Sequence, residues 1–255
     1  MRYRATVEYD GTDFAGFQRQ PGSRTVQEEL ETALGRLAGG GRIRVDGAGR
    51  TDAGVHATGQ VIAFTDPGRR SAVELETALA GILPRDVAVR GIRRVASGFD
   101  PRRAARYREY RYTVWNGSRS PLHERTALWM RVPLDVEAMT RAASVLVGRH
   151  DFSAFGSAQG QPVRTVHAIR VRRQGSLVTI DVRADAFLRG MVRRIVAVLL
   201  EAGRGEIEQQ AVARILRDRR PALDGVMAPA RGLCLTRVVY GRRPGDHAYG
   251  DDEER

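Results

Sequence analysis

The chain has 255 residues, 42% of them hydrophobic, which suffices for one large domain or two small ones with a buried core. Cys234 is the one cysteine of the sequence, which excludes an internal disulfide and a cysteine-based metal site. We find neither a signal peptide nor an apolar run long enough to span a membrane, so we predict a soluble, cytoplasmic protein. The 42 basic residues, all arginine, outnumber 30 acidic ones and predict a polyanionic partner such as nucleic acid, because arginine pairs bidentately with phosphate.

The first hundred residues alternate between strand and helix patterns. The segment "YRATVEYD" has the period of two that is typical of a strand. The segment "TVQEELETALGRLAG" places Val26, Leu30 and Leu34 on one helical face, with Thr25 as the predicted N-cap. The segments "RIRVDGAG" and "GQVIAFT" predict two strands, and a helix around 72–82 and the strand "DVAVRGIRRV" follow. This β-α-β-β-α-β order is that of the split βαβ, or ferredoxin-like, fold.

The second half nearly repeats this order. It contains a strand, "REYRYTVWN", a helix, "LDVEAMTRAASVLVG", a hairpin turning at Gln174-Gly175, an apolar helix ending at Gly203, and a last strand, "RGLCLTRVVYG". We therefore predict an α+β fold of two split-βαβ halves, 1–103 and 104–243, with antiparallel sheets side by side around a central basic cleft. The segment 244–255 has little apolar content and is predicted to be a disordered tail.

A glycine-rich stretch, "GAGRTDAGVHATGQV", lies between two of the predicted strands and carries one acid, Asp52. A dinucleotide-binding loop would need a third glycine where Asp52 stands, and it would open a helix. A metal site is disfavoured because Asp52 and His56 have no third ligand nearby. Nucleotide cofactors and metals are therefore not expected. The residues alone leave two roles for Asp52, a cap of a short helical turn or a chemical reagent.

The same stretch resembles the signature of the tRNA pseudouridine synthase A family, which isomerises uridine at positions 38, 39 and 40 in the anticodon stem-loop of tRNA. Further blocks are similar to family motifs and follow in the family's order: "YDGTDFAGFQRQPGSRTVQEELE", "FDPRRAARYREYRYTVWN", "ADAFLRGMVRRIVAVLLEAG" and "RGLCL". One departure is Phe17, where the family commonly has tryptophan. The resemblance covers nearly the whole chain and implies a homodimeric, tRNA-modifying isomerase that uses no cofactor.

Three residues match functional positions of the family. The resemblance implies that Asp52 is the catalytic carboxylate, that Tyr110 stacks on the substrate, and that Arg189 in "AFLRGMVR" is the basic partner of Asp52. The carboxylate would act either as a nucleophile or as a base that removes a sugar proton, and the sequence leaves both open. On pattern alone, Tyr110 fits an ordinary residue of a strand core better than a substrate contact, and Arg189 fits one more surface arginine. His56 is interpreted as a residue that packs within the loop, and no catalytic role is assigned to it.

A base within a stem must be flipped out of its stack to reach a carboxylate. Arg50, two residues before Asp52 in the motif, is predicted to enter the gap or to hold the flipped phosphate. Phosphate contacts that position RNA without reading its sequence are predicted at Arg19, Arg24, Arg102, Arg103 and Arg106.

Two other classes of function remain open from the residues. A non-catalytic RNA-binding module of split βαβ type would account for the charge and the aromatic residues and would not need Asp52. A metal-dependent nuclease or phosphotransferase would use Asp46, Asp52 and His56 and would lose activity to a chelator.

Overall fold

The computed structural model describes residues 1–68, 70–157 and 160–241. The described residues contain ten strands: β1 (Arg2–Tyr9), β2 (Val45–Gly47), β3 (His56–Thr65), β4 (Val87–Arg94), β5 (Ala105–Trp115), β6 (Leu128–Trp129), β7 (Gly148–Asp151), β8 (Val163–Gln174), β9 (Leu177–Ala184) and β10 (Leu233–Tyr240). They also contain five α-helices: α1 (Val26–Leu37), α2 (Ala72–Ile82), α3 (Val136–Ser144), α4 (Met191–Gly203) and α5 (Gln209–Asp218). The predicted tail, 244–255, lies outside the described residues.

All ten strands belong to one open, mixed, mostly antiparallel sheet, so the predicted α+β class is confirmed. The strand order is β4-β1-β3-β10-β5-β9-β8-β7, with β2 beside β3 and β6 beside β5. The pairs β3–β10 and β5–β6 are parallel, and the other pairs are antiparallel. The strands that we predicted for two separate sheets therefore share a single sheet.

The short length of β2 explains this continuity. Its three residues pair with the C-terminal part of β3, from Ile62 to Phe64, and leave the start of β3 open on that edge. There β10 pairs in parallel with His56 and Ala57. A Cβ added to Gly59 would lie 2.1 Å from the carbonyl oxygen of Thr236, so glycine is needed for this close approach. The chain between β2 and β3 consequently lies where β2 and β10 diverge.

Several strands bury one side, as period-two patterns predict, whereas β3 is buried on both sides along most of its length. In β1, buried residues alternate with half-exposed ones. The helices pack in two groups, α1 with α2, and α3 with α4 and α5. The bounds of α1, α2 and α4 agree closely with the sequence predictions, whereas α3 ends at Ser144 instead of continuing to Gly148, and α5, β6 and β7 were not predicted. Thr25 is the N-cap of α1 as expected, but its side chain makes no capping bond. None of the described helices is long and apolar enough to cross a membrane.

Candidate active site

Asp52 lies on the loop 48–55 between β2 and β3, which we call the Asp52 loop. The carbonyl of Asp52 accepts a hydrogen bond from the Val55 N–H at 3.2 Å, which closes a tight turn. Gly54, the third residue of that turn, has φ of 75°, a conformation that glycine adopts without strain. Its N–H donates to the carbonyl of Phe14 at 3.3 Å. The glycine of the motif thus sets the direction of the chain after the acid.

The residues before Asp52 are also fixed by hydrogen bonds. The carbonyl of Thr51 accepts from the Phe17 N–H at 3.1 Å, and the hydroxyl of Thr51 bonds that of Tyr9 at 2.8 Å. The amide of the buried Gln60 accepts from the Gly49 N–H at 3.3 Å and donates to the Gly49 carbonyl at 2.7 Å. The loop therefore has satisfied backbone groups on both sides of Asp52, which restricts where its carboxylate can lie.

The side chain of Asp52 is 36% exposed, and its carboxylate lies 3.6 Å from a guanidinium nitrogen of Arg193, whose side chain is 17% exposed. Arg193 is itself oriented, because its Nε donates to the carbonyl of Ala228 at 2.7 Å. Among the described residues, no backbone N–H donates to the carboxylate of Asp52. The structure thus does not support the interpretation of Asp52 as a cap and instead gives it a cationic partner.

The sequence predicted Arg189 as the basic partner of Asp52, but in the structure Arg193 forms this ion pair. Arg189 is exposed, and its backbone forms an isolated bridge with Ser157 before α4 begins. Gly190, with φ of 72°, turns the chain into α4, and Arg193 is the third residue of that helix. The motif "AFLRGMVR" holds both arginines four residues apart, and only the geometry of this turn distinguishes them.

Tyr110 lies on β5 next to the Asp52 loop. The residue is 8% exposed, and its ring meets the ring of Phe187 edge-on, with centroids 5.1 Å apart. A Cβ added to Gly49 would lie 3.8 Å from the Tyr110 hydroxyl oxygen. Burial is the main cause that raises the pKa of Tyr110 to about 12; the charge of Arg108 opposes this rise and the charge of Asp52 adds to it. The hydroxyl is therefore neutral at physiological pH.

The arginines predicted to contact RNA differ in their surroundings. Arg50, Arg102 and Arg106 are exposed, and Arg103 is exposed beside Asp100 at 3.7 Å. Arg19 lies 3.4 Å from Glu28 and 3.8 Å from Glu31.

Arg24 is bound more tightly within the protein. It donates two hydrogen bonds to Asp86, at 2.7 and 3.0 Å, and one to Glu29 at 2.8 Å, and its guanidinium lies 4.2 Å from the ring centroid of Phe14. These bonds to Asp86 raise the pKa of Arg24 above its ordinary value. A phosphate would compete with two carboxylates for this side chain, so the structure favours a structural role for Arg24.

The residues of the metal-dependent alternative have other partners. Asp46 forms an ion pair with Arg2 at 2.9 Å. The Nδ1 of buried His56 accepts from the Gly11 N–H at 3.0 Å, and its Nε2 lies 3.0 Å from the Arg231 carbonyl oxygen. His56 therefore joins loops of both halves. Within 1–68, 70–157 and 160–241, no three His, Cys, Asp or Glu residues are grouped so as to hold a metal ion.

Comparison with known proteins assigns the chain to a family. A family model described as tRNA pseudouridine synthase matches residues 5–101 and 142–241, more than half of the chain. The chain is 42% identical to tRNA pseudouridine synthase A of Myxococcus xanthus, with 99% of each chain covered. It is 44% identical to the enzyme of that name from Methylococcus capsulatus, covering 94% of this chain and 90% of the relative. It is 40% identical to that of Geobacillus kaustophilus, covering 94% and 95%. The chain therefore belongs to the tRNA pseudouridine synthase family.

Proposed function

We propose that this protein isomerises uridine to pseudouridine at positions 38, 39 and 40 in the anticodon stem-loop of tRNA, with Asp52 as the catalytic carboxylate. The observation that carries the proposal is the meeting of Asp52, Arg193 and Tyr110 where β2 and β10 diverge, in a chain of this family. The formal charge of +12 suits a polyanionic substrate.

The reaction breaks the bond between N1 of uracil and C1′ of the sugar, turns the base, and joins C5 to the same carbon. The proton on C5 is lost and N1 gains one, so that the product is an isomer and no oxidant or reductant is needed. A carboxylate can assist as a nucleophile or as the base that removes a sugar proton. Both routes need a carboxylate that the substrate can reach, and Asp52 is partly exposed.

Arg193 and Tyr110 hold the reacting groups in place. The guanidinium of Arg193 restricts the orientation of the Asp52 carboxylate, because opposite charges 3.6 Å apart attract each other. Tyr110 offers a ring that Phe187 supports from its edge and on which a flipped uracil can stack. Its neutral hydroxyl adds no charge beside the carboxylate.

Binding energy must offset the cost of flipping the target nucleotide, a few kcal/mol. Arg50 is two residues before Asp52 and exposed, so we assign it to the gap in the stem or to the flipped phosphate. We assign phosphate contacts to Arg102 and Arg103 in the turn between β4 and β5, and to Arg19. Arg24, which two carboxylates hold, is assigned to packing of the protein.

The matching strand orders of the two halves, β4-β1-β3-β2 and β10-β5-β9-β8, support the interpretation as two split-βαβ units, 1–103 and 104–243. By resemblance to the family we also propose a homodimer in the cytoplasm. Light scattering of the purified protein tests the homodimer, and fractionation of the source cells tests the location.

Asp52→Asn tests the catalytic assignment. Asparagine has the shape of aspartate but neither its nucleophilicity nor its basicity, so single-turnover formation of pseudouridine on unmodified tRNA should be abolished. Arginines and aromatic rings supply most of the RNA affinity, so a binding titration of the same variant should match that of the wild type.

Arg189→Met is the control, because it removes one charge from an exposed side chain of the "AFLRGMVR" motif and leaves Asp52 and its ion pair with Arg193 in place. Clear turnover by Asp52→Asn, after deamidation back to aspartate has been excluded by mass spectrometry, would contradict the assignment and favour an RNA-binding module. Pseudouridine formed by the wild type outside positions 38, 39 and 40 would contradict the proposed target.

A further inference from the structure

Arg108 is an arginine on the buried side of a strand. It precedes Tyr110 by two residues on β5, and Arg108, Tyr110 and Tyr112 are all buried, as expected for residues that share a strand face. Arg108 is 8% exposed, and burial lowers the pKa of its guanidinium. Such a position normally holds an apolar residue.

The guanidinium of Arg108 donates to three backbone carbonyls on three separate segments. Its Nη2 donates to the carbonyl of Ala48 at 2.9 Å and to that of Arg102 at 2.6 Å, and its Nη1 donates to that of Asp185 at 2.9 Å. Among the described residues, Arg108 forms no ion pair with a carboxylate.

Two of the three segments lead into the candidate active site. Ala48 is the first residue of the Asp52 loop. Asp185 follows β9 and is itself fixed, because its carboxylate accepts from the Thr165 N–H at 3.1 Å. The chain after Asp185 carries Phe187, which contacts Tyr110, and then enters α4, which carries Arg193. Arg102 lies in the turn that joins the two halves.

The chemistry of the guanidinium explains why an arginine occupies this position. Burial of a charge without a counterion is unfavourable, and a well-packed apolar residue is often at least as stabilising as a buried charge. Arginine can, however, direct several donors from one rigid plane, and charge-assisted hydrogen bonds to carbonyls are stronger than neutral ones.

We propose that Arg108 is a positioning residue that holds the Asp52 loop at a fixed place relative to Tyr110 and to the segment leading to Arg193. This inference rests on the proposed function of the site. Arg108 acts through the backbone and touches no reacting atom. Its loss should therefore slow the chemical step and leave RNA affinity nearly unchanged.

The test compares Arg108→Met, Arg108→Lys and Arg108→Ala with the control Arg111→Met. Arg111 lies on the same strand but on its exposed side, where it donates to Asp181 at 2.7 Å. Single-turnover pseudouridine formation, RNA affinity and the unfolding midpoint are measured for each variant, with rates taken well below that midpoint. We expect the rate of Arg108→Met to fall about 100-fold, since misplacement of a catalytic group by about 1 Å has this effect. Lysine keeps the charge but cannot reach three carbonyls, so Arg108→Lys should be nearly as slow.

Guanidinium ion supplies a readout that a general loss of stability would not give. At concentrations far below those that unfold proteins, it should restore part of the rate of Arg108→Ala, whereas an equal concentration of sodium chloride should not. Amide hydrogen exchange supplies a second readout that does not depend on turnover. Exchange in the Asp52 loop should be faster in Arg108→Met than in the wild type or in Arg111→Met.

Arg108 variants that react at nearly the rate of Arg111→Met, or that leave exchange in the loop unchanged, would overturn the inference. So would failure of all three variants to fold, which would make Arg108 a support of the whole fold. Absence of pseudouridine formation by the wild type would instead contradict the proposed function, and the exchange experiment would still decide whether Arg108 holds the loop.

Discussion

Replacement of Arg193 by methionine should slow pseudouridine formation far more than replacement of Arg189. Arg193→Met removes the guanidinium that lies 3.6 Å from the Asp52 carboxylate. It also removes the hydrogen bond from Nε to the carbonyl of Ala228. Arg189→Met removes the same charge from an exposed side chain four residues earlier, so it controls for the loss of general attraction to RNA.

The size of the effect follows from the ion-pair geometry. Two unit charges 3.6 Å apart in an effective dielectric of about 20 attract each other by about 4–5 kcal/mol. Solvent screens part of this attraction because Asp52 is 36% exposed, so we expect a net effect of about 1.4–2.8 kcal/mol. Because about 1.4 kcal/mol corresponds to a factor of ten in rate, Arg193→Met should react about 10- to 100-fold more slowly.

The assay is single-turnover formation of pseudouridine on an anticodon stem-loop RNA, with a binding titration of each variant. Arg193→Lys separates the two contributions, since it keeps a positive charge but loses the bond that Nε makes to Ala228. We expect its rate to lie between those of the wild type and Arg193→Met. Equal rates for Arg193→Met and Arg189→Met, or a slower rate for Arg189→Met, would refute the reasoning.

Tyr110→Ala should lose roughly 5- to 150-fold more activity than Tyr110→Phe, because stacking of a base on a ring contributes about 1–3 kcal/mol; equal losses would point to the hydroxyl instead. Gly47→Ala should lower the free energy of unfolding by about 1–3 kcal/mol, since its Cβ would lie 2.5 Å from the buried ring of Phe17, and an unchanged urea midpoint would argue against that packing. Arg102→Gln should reduce the slope of log affinity for tRNA against log salt concentration by roughly one, whereas Arg24→Gln should leave it unchanged because Asp86 already binds Arg24. A reduced slope for Arg24→Gln with an unchanged slope for Arg102→Gln would place the RNA elsewhere. Burial raises the pKa of Tyr110 from 10.0 to about 12. Above pH 10.0 the unfolded chain loses this phenolic proton before the folded protein does, so the contribution of Tyr110 to the free energy of unfolding is complete below pH 10.0 and is lost as the pH rises to about 12. Urea unfolding across this range should therefore show a steeper decline of the free energy of unfolding for the wild type than for Tyr110→Phe.

The local elements could be predicted from the sequence because their causes are local. Helices α1 to α4 follow from apolar residues at helical spacing, and the long strands follow from period-two alternation. The short elements β6 and β7 lack enough residues to show a period. The stretch around Asp52 was recognisable because its glycines and its single acid are adjacent in the chain. The sequence thus determined the fold class, the family and the candidate carboxylate.

Only the tertiary structure decided which groups meet that carboxylate. Arg189 and Arg193 belong to one motif, and the left-handed turn at Gly190 with the start of α4 puts Arg193 beside Asp52. The union of both halves in a single sheet depends on the pairing of β10 with β3, which are far apart in the chain. Arg108 has a position on β5 that alternation alone assigns to an apolar residue, and its three carbonyl partners come from distant segments. Contacts of this kind depend on how separate elements pack, and a periodic pattern within one element carries no information about them.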